Sequence, residues 1–211
     1  MSQKTTRWLL AAVQAIVGWE WLMSGSNKLL SGTFPQGLAD TLTSMMKDNP
    51  DNWYVAFLQY TILPQSVLYG YLIEWTEVTI GILLLGGAFL LLGQPRRKGQ
   101  PQYRLIVFYS LAAMGAALVG AFLTINFHFL AGGWVFPWFD GSAANEEGID
   151  LDALLPPFEF VIFLAQGALV ANLTGISWRQ RFSWISQRLL WKKQAVSPQL
   201  PLGDAASHGQ A

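Results

Sequence analysis

Long apolar segments separated by basic clusters constrain this chain more than any other feature. Residues 7–28, 66–92, 103–127 and 157–176 form four such segments. Each supplies the roughly twenty residues that a helix needs to cross ~30 Å of hydrocarbon. Charged residues make up 12% of the chain, about half the ~25% of a soluble domain. The sequence therefore predicts an all-α integral membrane protein, a four-transmembrane-helix bundle.

The basic residues mark one side of the predicted membrane. They cluster before the first segment, between the second and third, and after the fourth: Lys4 and Arg7; Arg96, Arg97, Lys98 and Arg104; Arg179, Arg181, Arg188, Lys192 and Lys193. Between the third and fourth segments, residues 129–156 contain five acidic residues and no Lys or Arg. Basic loops stay in the cytoplasm, so we expect a multi-pass protein of the inner (plasma) membrane with both termini cytoplasmic.

The connections predict further helices outside the bundle. The outer loop after the first segment contains an amphipathic stretch around residues 38–46 and an aromatic run at 53–58. We expect two short interfacial helices there. Beyond the four-helix domain at 1–176, apolar and basic residues alternate at helical spacing over 177–193, which is typical of an amphipathic helix on the inner surface. The polar residues 194–211 resemble a disordered tail.

Ionisable residues inside the segments are the first candidates for function, because burying charge in a membrane is costly. The predicted topology puts all of them in the outer half of the membrane, so we expect one polar site beneath the outer loops. The candidates are Glu20, Asn27 and Lys28 on the first segment, Glu74 and Glu77 on one face of the second, and His128 at the end of the third.

The charges of this predicted site do not balance. Glu20, Glu74 and Glu77 face a single cation, Lys28. We therefore expect one glutamate to pair with Lys28 and at least one other to be protonated at neutral pH. A protonated glutamate can donate a proton to a buried substrate.

Other interpretations of these residues stay open. The cluster could be structural, since intramembrane polar contacts also hold helices together. A metal site has little support, because no helix carries a Glu-x-x-His or His-x-x-x-His pair. Trp19 and Trp75 either wall an aromatic ligand or simply pack. Glu159, near the expected start of the fourth helix, favours the helix dipole and reads as structural.

Three motifs resemble the DoxX-like family of membrane proteins. Residues 18–29 read GWEWLMSGSNKL and resemble the family's first-helix Gly-x-x-Lys-Leu pattern, and residues 77–86 read EVTIGILLLG and resemble its second-helix pattern. The segment NPDNWYVAFL at 49–58 resembles the DoxD branch, which includes the small membrane subunit of thiosulfate:quinone oxidoreductase. The resemblance covers residues 7–93 well and the rest loosely, and it supports roles for Lys28 and Glu77 in particular.

The resemblance implies a membrane subunit of a quinone-linked redox system, with a small sulfur compound as one substrate candidate. Glu77 and Glu74 are then the proton-handling candidates, and the binding candidates are Lys28, Glu20, Asn27, Trp19, Trp75 and His128. An anion would favour Lys28, and a quinone would favour Trp19 and Trp75. With no Cys and no Gly-x-Gly-x-x-Gly motif, we expect no covalently bound cofactor, with quinone acting as a substrate.

The partners expected are the lipid bilayer and a protein subunit that exchanges electrons; nothing indicates a nucleic acid. The alternative hypothesis is a non-enzymatic accessory or assembly subunit of a larger membrane complex. A transporter is disfavoured, because the sequence has no internal repeat and no broken mid-membrane helix.

Overall fold

The computed structural model describes residues 3–92, 102–132 and 151–175. Every regular element within these ranges is a helix. The helices are α1 (Gln3–Ser31), α2 (Phe34–Asp48), α3 (Asn52–Phe57), α4 (Ser66–Leu92), α5 (Gln102–Leu130) and α6 (Leu151–Thr174). The amphipathic helix predicted at 177–193 and the tail predicted at 194–211 lie outside the described residues.

A glycine ends α1 and a proline begins α2. Gly32 adopts a φ of +64°, a left-handed conformation that closes helices and that side chains other than glycine disfavour. Its N–H donates to the carbonyl of Lys28 at 3.3 Å. Pro35 then occupies the first turn of α2, where its missing N–H has no intrahelical partner to lose. Only Gly32 and Thr33 therefore separate the two helices.

The helical path is continuous from α3 into α4. A π-helical stretch (Leu58–Ile62) and a short 3₁₀ turn (Leu63–Gln65) join the two helices. Pro64 lies in that turn and lacks an N–H, so the regular α-helical ladder cannot pass through it. The connection thus contains two helices, α2 and α3, whose expected place at a membrane interface stays a prediction. Helix α4 spans the same residues as the second predicted segment.

Helix α6 begins earlier than the sequence predicts. The sequence analysis expects a start at residue 157, whereas the helix begins at Leu151 and contains both Pro156 and Pro157. Both prolines lie past the first turn of α6, so each removes a backbone hydrogen-bond donor that the helix would otherwise use. The helix nevertheless begins before them. As a result Glu159 lies two turns inside α6 rather than in its first turn, and the interpretation of Glu159 as a dipole-favouring residue at the helix start is wrong.

The four long helices pack with neighbours antiparallel. Glycines let α1 and α4 approach closely: a Cβ built on Gly81 would lie 2.5 Å from the backbone nitrogen of Leu22, and one on Gly25 would lie 2.7 Å from that of Val78. Small residues at helix contacts are typical of membrane proteins. The central core contains buried residues of all four helices: Val17, Trp21, Ile80, Leu84, Ala116, Ala117 and Ile162.

A second apolar cluster lies where α1 and α5 end and α4 begins. It joins α2 and α3 to α4 and α5 through Leu38, Leu42, Tyr54 and Leu58. The Tyr54 hydroxyl donates to the backbone carbonyl of Asn126 at 2.9 Å. The side-chain amide of Asn49 donates to the carbonyl of Phe129 at 2.7 Å, which satisfies a backbone acceptor left open at the end of α5.

Three helical segments are long and apolar enough to cross a membrane: Asn52–Leu92, Tyr103–Leu130 and Leu154–Thr174. Large apolar side chains such as Phe89, Phe108 and Phe122 project from them with more than half of their surface exposed. Exposed apolar surface of this extent is typical of lipid-facing helices. Helix α1 is not among the three, because Gln14, Glu20 and its polar ends make it less apolar.

Candidate functional site

Lys28, Ser24 and Glu77 form a closed polar cluster between α1 and α4. The Lys28 ammonium donates to both carboxylate oxygens of Glu77, at 2.5 and 2.6 Å, and to the Ser24 hydroxyl at 3.1 Å. Ser24 in turn donates to Oε2 of Glu77 at 3.1 Å. Ser24 and Lys28 are four residues apart and thus lie on one face of α1. Close packing at Gly25 brings that face onto α4.

The surroundings of this cluster exclude water from the carboxylate. The Glu77 side chain has no exposed surface, whereas 23% of the Lys28 side chain is exposed. The Lys28 ammonium also lies over the rings of Phe34 and Phe127, 5.2 and 5.7 Å from their centroids, where the ring faces attract a cation. A buried carboxylate of this kind depends on its cation, because an unpaired charge there would be strongly destabilising.

Glu159 forms a second buried carboxylate site, between α1, α5 and α6. The indole N–H of Trp21 donates to its Oε1 at 2.7 Å, and the Thr124 hydroxyl donates to its Oε2 at 3.2 Å. The side chain is completely buried. Gly120 makes room for it, since a Cβ at that position would collide with the carboxylate. The carboxylate thus ties three helices together.

A cavity of about 320 Å³ lies between the two carboxylate sites. Lys28 and Ser24 of the first site line it, as do Trp21 and Thr124 of the second. The remaining lining residues are Glu20, Phe127 and Leu155. The volume falls at the lower end of the range for small-molecule sites, about 300–1,000 Å³. A cavity with apolar walls and a few convergent polar groups is the usual form of such a site.

The structure brings only part of the predicted site together. Lys28 pairs with Glu77, as the charge argument expects for one glutamate. Glu20 lines the cavity from an exposed position. Glu74 is buried one turn before Glu77, and its Oε2 has no hydrogen-bond partner among the described residues. Glu74 does not line the cavity, so its predicted role stays a prediction.

The other predicted binding residues lie elsewhere. Trp19 and Trp75 are 58% and 59% exposed and do not line the cavity. Asn27 is also exposed. His128 is buried one turn beyond Thr124 on α5, with its ring 6.4 Å from that of Phe129. None of these four residues therefore faces the cavity between the carboxylates.

Two buried glutamines, which were not among the residues predicted from the sequence, form a further polar contact between helices. Gln166 donates to the side-chain carbonyl of Gln14 at 2.8 Å, and Gln14 donates to the backbone carbonyl of Leu84 at 2.8 Å. Both glutamines are completely buried. The spacing along the chain could have indicated this contact. Gln14 precedes Trp21 by seven residues and Gln166 follows Glu159 by seven, so each glutamine lies two helical turns away on the same face of its helix.

Among the residues that the structure describes, no three His, Cys, Asp or Glu side chains lie close enough together to hold a metal ion. The polar groups at the cavity and the two carboxylate sites are carboxylates, one ammonium group, hydroxyls and an indole.

Comparison with protein-family models, with curated proteins and with solved structures found no match to this chain.

Proposed function

We propose that the chain is an integral membrane protein in which α1, α4, α5 and α6 cross the plasma (inner) membrane as a four-helix bundle. The basic clusters support an orientation with both termini in the cytoplasm. In that orientation α2 and α3 lie at the outer interface, and the cavity between the two carboxylate sites lies in the outer half of the membrane.

We further propose that the protein is a membrane subunit of a quinone-linked redox system. The observation that carries this proposal is the cavity bordered by Lys28 and Trp21, with a buried carboxylate behind each of them. The resemblance of residues 18–29 and 77–86 to DoxX-like proteins supports the same function. The resemblance supports roles for Lys28 and Glu77 in particular, and these two side chains form an ion pair with a nitrogen–oxygen distance of 2.5 Å.

The cavity suits proton transfer better than electron transfer. Reduction of a quinone to a quinol takes up two electrons and two protons. Carboxylates and hydroxyls within hydrogen-bond reach of a ligand can exchange the protons, and Glu77 connects to the cavity through Lys28 and Ser24. The electrons would come from a small sulfur compound or from a partner subunit that binds this protein.

The test is retention of quinone during purification in mild detergent, followed by mass spectrometry of bound lipids and proteins. We expect wild-type protein to retain a quinone, and folded K28A and E77Q proteins to lose most of the quinone-linked turnover. N27A is the matched control, because Asn27 is exposed on the same helix and away from the cavity. If folded K28A and E77Q retained as much quinone as wild type and kept full quinone-linked turnover, the redox proposal would be wrong.

One observation favours an accessory or assembly subunit instead. Three of the buried polar side chains also join helices: Glu77 joins α4 to α1, Glu159 joins α6 to α1 and α5, and Gln166 joins α6 to α1. A purely architectural protein would need the same contacts. Stoichiometric co-purification with a partner, together with tolerance of Lys28 and Glu77 substitutions, would support this alternative.

A further inference from the structure

The donor groups that line the cavity are already engaged inside the protein. Lys28 has three N–H bonds, and three acceptors receive them: the two oxygens of Glu77 and the hydroxyl of Ser24. The Ser24 hydroxyl donates to Glu77. The indole N–H of Trp21 donates to Glu159, and the Thr124 hydroxyl has acceptors in Glu159 and in the carbonyl of Gly120. These side chains have no other donors.

What the lining residues offer a ligand is therefore acceptors and apolar surface. Glu20 presents a carboxylate, and hydroxyl oxygens carry lone pairs beyond those in use. Phe127 and Leu155 supply apolar walls. A ligand that needed to accept hydrogen bonds would have to break an internal contact of a buried carboxylate, which is costly. A ligand that donates hydrogen bonds would not.

The charge of the site also disfavours an anionic ligand. Lys28 is the only Lys or Arg among the described residues that line the cavity, and Glu77 neutralises it. Glu20 lines the cavity, and Glu159 lies directly behind Trp21 and Thr124. Among the described lining residues, an anion entering the cavity would therefore meet no uncompensated cation.

We infer that the cavity takes a neutral, partly apolar ligand that donates hydrogen bonds, such as the hydroquinone form of a quinone, and that it excludes small oxyanions. This inference rests on the proposed function and specifies its ligand. It reverses the expectation that Lys28 favours an anion, because the lysine is not free to bind one. Between the two redox states of one quinone, the reduced state binds more tightly.

The experiment measures the binding of three probes to the purified full chain by calorimetry, without oxygen and in zwitterionic nanodiscs. The probes are tetramethylhydroquinone, tetramethylbenzoquinone and inorganic sulfate. We expect the hydroquinone to bind wild type at least ~10-fold more tightly than the quinone, the equivalent of about one hydrogen bond. We expect no saturable binding of sulfate. Equal or tighter quinone binding, or saturable sulfate binding to wild type, would overturn the inference.

A gain of sulfate binding in a variant provides an independent test of whether Glu77 prevents Lys28 from binding anions. In E77Q, Lys28 loses its counter-charge, so we expect sulfate to bind at least ~10-fold more tightly than to wild type, and the double variant K28M/E77Q to lose that gain. E74Q is the matched control: it also removes a buried carboxylate of α4, whereas the ion pair of Lys28 is with Glu77. An E77Q protein that binds sulfate no better than E74Q counts against the inference.

The outcomes separate this inference from the proposed function. Wild-type protein that bound sulfate and not the ring compounds would contradict the inference and leave a ligand site in the cavity. Wild-type protein that bound none of the three probes would contradict the quinone-linked function, and the sulfate gain of E77Q would still decide whether Glu77 masks Lys28. If E77Q fails to fold, the three-probe comparison on wild type stands alone.

Discussion

Trp21 donates its indole N–H to a carboxylate oxygen of Glu159 across 2.7 Å, although the two residues are 138 positions apart in the chain. This contact joins α1 to α6 at one wall of the cavity. It also sets what the cavity presents to a ligand, because it turns the only N–H of the indole away into the protein.

The substitution W21F tests the strength of this contact. It keeps an aromatic ring but removes the donor, so the buried Glu159 loses one hydrogen bond. We expect the free energy of unfolding to fall by about 1–3 kcal/mol, the cost of leaving a buried acceptor group short of a partner. The measurement is equilibrium unfolding in mixed micelles. W19F is the control, because Trp19 is mostly exposed on the same helix; equal losses from W21F and W19F would contradict the role of the hydrogen bond.

The glycine contact between α1 and α4 makes a second prediction. An alanine at Gly81 would place its Cβ 2.5 Å from the backbone nitrogen of Leu22 and 2.7 Å from its Cα. Because backbone atoms cannot move aside as a side-chain tip can, G81A should separate the helices and cost about 1–3 kcal/mol. Thermal unfolding in detergent measures this loss.

The control for G81A is G115A on α5. A Cβ at Gly115 meets no atom within 4 Å, and alanine is the better helix former by up to ~1 kcal/mol. We therefore expect G115A to be neutral or slightly stabilising. A G81A protein as stable as G115A would show that α1 and α4 do not approach as closely as the structure indicates.

Substitutions of the buried pair Gln14 and Gln166 should have non-additive effects on the free energy of unfolding. Q166L leaves the side-chain carbonyl of Gln14 without its donor, so we expect a loss of about 1–3 kcal/mol in the free energy of unfolding. The double variant Q14L/Q166L removes both polar groups and should lose less than the sum of the two single variants, because no buried amide is left unpaired. Additive losses would mean that the two amides do not interact. N172L, at an exposed amide of α6, is the control for polarity alone.

The proposed orientation can be tested with single cysteines, because the natural chain has none. In the sequence, Ser142 lies in the acidic segment between the third and fourth proposed spans, and Ser197 follows the fourth. In intact cells a membrane-impermeant maleimide should label S142C and not S197C, and permeabilised cells should allow labelling of both. Labelling of S197C alone in intact cells would reverse the proposed orientation.

The helical content and the approximate helix bounds followed from the sequence, because apolar runs of this length have few alternatives to helix. The start of α6 did not follow, because the helix begins at Leu151 and contains Pro156 and Pro157, which the rules for proline disfavour inside a helix. The balance of charges predicted that one glutamate would pair with Lys28, and Glu77 is that residue. The sequence could not predict that Trp19 and Trp75 lie outside the cavity, because the rotation of each helix decides which of its faces is buried.

The sequence by itself determined that this chain forms long apolar helices and that a few ionisable residues must find partners among them, because hydrocarbon solvates neither backbone dipoles nor charges. Only the tertiary structure decided which partners they find. Trp21, Thr124 and Glu159 meet because three helices pack at one level, with Gly120 leaving room for the carboxylate. That contact depends on the rotation and register of each helix, which are set by packing across the whole bundle and not by any local run of residues.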